Sequence, residues 1–130
     1  MVLSALLLAA LVRAGDAPKT ALEAGRWGGE HAVVDVSESG ATVQLDCAHG
    51  SISAAIALDG DGSFDLEGTL VKEHGGPIRK NEAEDRRRAR YRGRVQGGTM
   101  TLTIESLDGG EPSGPFTLER GSDGHVVRCR

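Results

Sequence analysis

From Trp27 onward, apolar and polar residues alternate in steps of two. Val43, Leu45 and Cys47 share one parity, and Thr42, Gln44 and Asp46 the other. Ile52, Ala54, Ile56 and Leu58 make the next apolar face, and Phe64, Leu66, Gly68 and Leu70 stand opposite Asp65, Glu67 and Thr69. Met100, Leu102 and Ile104 alternate with threonines; Phe116 and Leu118 continue the series, and His125, Val127 and Cys129 end it. A half-buried antiparallel strand needs this period, with one face on a core and one in water. No stretch of comparable length carries a helical period.

Turn chemistry punctuates the runs. Ser39-Gly40, His49-Gly50, Asp59-Gly60-Asp61-Gly62, Gly97-Gly98, Asp108-Gly109-Gly110 and Gly121-Ser122-Asp123-Gly124 supply residues that tolerate positive φ. Together these signals predict strands over 31–38, 42–48, 51–58, 63–73, 87–96, 99–107, 114–120 and 125–130. Sequential strands joined by hairpins favour an up-and-down meander closed into a small all-β barrel, because closure removes both sheet edges. A β-sandwich is the alternative. The one long connection, 74–86, carries Gly75-Gly76-Pro77 and a charged run, a composition that predicts a mobile loop.

The N-terminus has a different pattern. Val2 to Val12 form an apolar run of signal-peptide length, too short to span a bilayer, and Val12-Arg13-Ala14 offers small residues for cleavage before Gly15. Residues 1–14 are therefore read as a signal helix, 15–26 as a polar spacer and 27–130 as the single barrel domain. The expected location is secreted or periplasmic, with no membrane attachment in the mature form. The absence of a positive charge between Met1 and the apolar run departs from a typical leader. In an exported chain Cys47 and Cys129 are expected to oxidise. Their bond would close a loop of about 80 residues, worth about 4–5 kcal/mol on the chain-entropy estimate.

Charge and composition narrow the function. Removing 1–14 takes away Arg13 alone, so the net charge of −4 becomes −5, which argues against nucleic acid as a partner. The aromatics are Trp27, Phe64, Tyr91 and Phe116, too few for a sugar- or base-stacking platform.

Three clusters invite chemistry. Asp59, Asp61, Ser63 and Asp65 alternate like calcium-loop donors, but the sixth position is Phe64 and the twelfth Leu70, where a glycine and a glutamate are needed. A hairpin turn is the better reading. Asp46-Cys47-Ala48-His49-Gly50 places a thiol beside a histidine and a carboxylate, yet a disulfide would remove the nucleophile and no second pair has metal spacing. His49 is expected to end a strand and bond within the turn. Arg88, Arg90, Arg92 and Arg94 share one strand face, either an anion site or a solvated face paired with Asp65 and Glu67. No catalytic residue, metal or cofactor is predicted. Trp27 is expected to plug one barrel end, with a ligand-stacking wall as the functional alternative.

Trp27-Gly28-Gly29-Glu30-His31, Asp46-Cys47-Ala48-His49-Gly50, Glu73-His74-Gly75-Gly76-Pro77, Met100-Thr101-Leu102 and Arg128-Cys129-Arg130 resemble a group of small exported bacterial proteins of uncharacterised function. More loosely, Trp-Gly near the first strand is similar to lipocalin and avidin barrels, a likeness of fold alone. The resulting expectation is a non-enzymatic binding or accessory protein. Its candidate surface comprises Trp27, His49, His74 and the Arg88–Arg94 face, and its partner would be a small apolar ligand or an extracellular protein. The alternative is an inhibitor of an extracellular enzyme that acts through the 75–86 loop.

Overall fold

The computed structural model describes residues 19–74 and 85–129. Their strands are β1 (Thr20–Ala21), β2 (Gly25–Gly29), β3 (Ala32–Ser37), β4 (Gly40–Leu45), β5 (Ala48–Ile52), β6 (Ala57–Leu58), β7 (Ser63–Lys72), β8 (Asp85–Gln96), β9 (Thr99–Ser106) and β10 (Ser113–Arg120). Eight of them close into an antiparallel barrel in the order β10-β2-β3-β4-β5-β7-β8-β9. The described residues form an all-β fold, and the sandwich is set aside. The expected signal helix, residues 1–14, lies outside the described residues, as does most of the 75–86 loop.

The alternation fixes which side chains turn inward. Val43, Phe64, Leu70, Met100, Leu102, Ile104 and Leu118 are buried, and Asp65, Thr101 and Glu119, on the opposite parity, are exposed. Trp27 and Tyr91 are the largest of the fully buried side chains. Tyr91 donates from its hydroxyl to the Thr69 carbonyl at 2.6 Å. Gly50, across the sheet, has to be glycine, since a Cβ there would lie 2.1 Å from that hydroxyl.

Five expectations need correction. The first barrel strand is β2, which the sequence hides because Gly25, Gly28 and Gly29 interrupt the apolar rhythm. The turn after β4 falls at Asp46-Cys47, where Leu45 pairs with Ala48, rather than at His49-Gly50. Gly50 serves close packing instead of reversal. The 51–58 run breaks at Ile52; buried Ile56 and β6 return over the barrel end, where β6 pairs with β1. The supposed polar spacer thus joins the fold, with Leu22 packed against the core. Finally, 125–129 is not a barrel strand. It belongs to a C-terminal strap that makes one isolated parallel bridge, Glu30 with His125.

Candidate functional site

Two tight hairpins leave the same barrel end. Glu30-His31 joins β2 to β3 and Asp46-Cys47 joins β4 to β5; each loop has a non-glycine residue in the left-handed region, His31 at φ 73° and Cys47 at φ 55°. The strap runs along the outside of β2 and then over both loops. Its approach relies on Gly28, where a Cβ would meet the Ser122 carbonyl oxygen at 2.3 Å.

Backbone bonds fasten the strap in sequence. Gly121 N–H donates to the Arg26 carbonyl at 2.7 Å, His125 N–H to Gly29 at 3.0 Å, and His31 N–H to His125 at 2.8 Å. Cys47 N–H then donates to the Val127 carbonyl at 3.0 Å. Cys47 and Cys129 stand at disulfide distance, with Cα atoms 4.9 Å apart. The bond therefore links a hairpin turn to the strap, where the alternation placed it between two strands.

Asp46 is the hub of this end. Its Oδ1 accepts the Val127 amide at 2.8 Å and its Oδ2 lies 2.5 Å from His31 Nδ1. The Val127 N–H, and after it the His31 imidazole, hold the Asp46 carboxyl below its ordinary range, outweighing the partial burial that works the other way. A second pair sits nearby, His49 Nδ1 with Glu73 Oε1 at 2.9 Å.

Two concavities flank the Asp46–Cys47 turn. The inner one, about 370 Å³, is the barrel mouth: Leu45, Ala48, Leu70 and Phe116 form its walls, with Lys72 and Glu73 among the residues at its rim. The outer one, about 420 Å³, lies against the outside of β4, β5 and β7, and Val126 and Arg128 of the strap border it.

The residues singled out from the sequence scatter. Trp27 is 1% exposed, so it belongs to the core and offers no binding surface. Its indole is apolar bulk that the barrel interior needs. His49 does not end its strand; it is the second residue of β5 and borders the outer concavity. His74 follows β7 and is exposed. His31 and His49 pair with different carboxylates, and the described residues hold no group of three or more side chains suited to a metal ion.

Arg88, Arg90, Arg92 and Arg94 face outward on β8, as their parity predicts. Arg88 bonds Glu67 at 2.6 Å and Arg90 bonds Asp65 at 3.0 Å, while Arg92 lies 3.5 Å from Asp65 and 3.8 Å from Glu105. Cross-strand carboxylates thus answer three of the four charges. In the Asp59–Ser63 turn, Asp59 Oδ1 accepts the amides of Asp61 and Ser63, both at 2.9 Å, as a hairpin requires.

The Asp46–His31–Val127 cluster and Glu73 were not legible in advance. The available signal was a pair of acidic residues, Glu30 and Asp46, each beginning a two-residue turn. No known protein family, curated protein or solved structure matches the chain.

Proposed function

We propose that this chain is an exported, non-enzymatic binding protein that takes part of a small apolar ligand into its barrel mouth. One observation carries the reading: a concavity of about 370 Å³ has Leu45, Ala48, Leu70 and Phe116 as walls and charged groups at its rim. Pockets that bind small molecules combine apolar walls with a few polar groups in this manner. Below the mouth, Trp27, Tyr91, Met100 and Leu118 occupy the barrel interior, so the ligand inserts an end and leaves the rest outside. Export is supported by the apolar run Val2–Val12 and by a cystine, which persists in oxidising compartments.

Native mass spectrometry on protein purified from its own periplasm or medium tests the reading. The expected result is a bound adduct that Ala48→Trp, which fills the mouth, abolishes. Wild-type protein free of any adduct, or an adduct indifferent to Ala48→Trp, would overturn it.

A further inference from the structure

We propose that the outer groove is a second binding site, for a small ligand bearing an oxyanion (a carboxylate or a phosphate), with Arg128 held over it by the cystine. Strand register builds the floor. Gln44, His49 and Val71 form one cross-strand row on the barrel exterior, and Thr42, Ser51 and Thr69 form the next. Val71 is 6% exposed although its parity points outward, so neighbouring groups cover it. What faces the groove is mixed: the polar side chains of these rows together with apolar surface from residues such as Ala48 and Val126.

The inventory is rich in donors. Thr42, Ser51 and Thr69 bring hydroxyls, Gln44 an amide, His49 a second ring nitrogen and Arg128 a guanidinium. Ser51 and Thr69 share one bond between their hydroxyls at 3.1 Å. The carboxylate in the lining, Glu73, is engaged with His49. A groove with many donors and its acid already occupied favours a ligand that brings acceptors, and an oxyanion satisfies several donors at once. Arg86 borders the site as well, but has a partner of its own, so recognition turns on Arg128. The Arg88–Arg94 stripe is a poorer candidate, because Asp65, Glu67 and Glu105 stand among its guanidinium groups.

Arg128 is placed by its neighbours. Val127 is bonded on both sides, to Asp46 and to the Cys47 amide, and Cys129 is tied to Cys47. The disulfide thus completes the groove wall, and cutting it frees the guanidinium from the floor.

The test is an amide NMR titration of the oxidised chain with inorganic phosphate and, separately, with citrate. We expect saturable shifts at 49–51, 69–71 and 126–128 with at least one probe; which probe saturates tells phosphate from carboxylate. Losing one charge-assisted bond should weaken binding about tenfold or more in Arg128→Ala. Arg90→Ala should leave it unchanged within about twofold. Reduction should mimic Arg128→Ala; if the reduced chain unfolds, Arg128→Ala with its cystine intact decides. Saturation by neither probe, wild-type affinity in Arg128→Ala, or shifts confined to 88–94 would each overturn the proposal.

Discussion

Asp46 and Val127, 81 positions apart in the chain, are joined by a hydrogen bond from the Val127 amide to Asp46 Oδ1 at 2.8 Å. Since Oδ2 of the same carboxylate meets His31, one side chain ties together two hairpin turns and the strap. Side-chain bonds to backbone amides are common devices for fixing irregular chain where no sheet partner exists.

This carboxylate makes stability depend on acid. The folded chain holds the Asp46 pKa below its unfolded value, so its contribution is present above the ordinary carboxylate range and lost as pH falls through the lowered value. About a third of the side chain is exposed, which keeps the effect modest. Asp46→Asn should cost about 1 kcal/mol at neutral pH and much less in acid. Urea midpoints of both proteins at neutral and acid pH check this; a constant difference across pH would contradict it.

Gly28 should tolerate no side chain. Gly28→Ala forces its Cβ against the Ser122 carbonyl, and either the strap lifts or β2 shifts, at about 1–3 kcal/mol. Gly98→Ala, in open space, is the control and should fall within about 0.5 kcal/mol of the wild type. Equal thermal midpoints for the two variants would show that the strap does not lie on β2.

Tyr91 is the single tyrosine, so its ionisation can be followed alone. Burial pushes its hydroxyl up from 10.0 to about 12. Because the folded value is the higher one, the stabilisation is complete below pH 10 and is lost as pH rises towards 12. An absorbance titration of tyrosinate should find the high midpoint in folded protein and an ordinary one in denaturant. Tyr91→Phe should cost about 1 kcal/mol, from the bond to the Thr69 carbonyl.

The outward ion pairs should matter little. Arg90 and Asp65 are each close to half exposed, and Arg90→Ala should lose less than about 1 kcal/mol, with the difference shrinking further in high salt. Chemical denaturation at two salt concentrations measures this directly. A larger loss, insensitive to salt, would mean the pair is desolvated.

Much of the barrel was written in the alternation. Phe64 to Leu70, Met100 to Ile104 and Leu118 turn inward as their parity requires, and the arginines of β8 turn out. Closure also followed from the number of sequential hairpins. Where glycine had two uses the pattern misled: Gly50 looked like a turn but makes room for Tyr91, and Gly28, which falls before the first predicted strand, makes room for the strap. His125, Val127 and Cys129 carry strand parity in the sequence, yet in the strap His125 and Val127 are exposed, so the parity marked no buried face there. Of the candidate site, Cys47 with Cys129 and the outward arginines were readable. The approach of Asp46 to His31 and of Glu73 to His49 was not, since each pair depends on how neighbouring strands line up.

The central claim is that the C-terminal strap is bound to the β4–β5 turn through Cys47 and Cys129 on a closed barrel. Removing that link should cost about 4–5 kcal/mol for a separation of 82 residues. The most direct measurement is a peptide map of natively purified protein, alkylated without reductant. The account predicts a cross-linked pair of fragments, one holding Cys47 and the other Cys129, with neither thiol alkylated. Two alkylated cysteines in folded protein would contradict it.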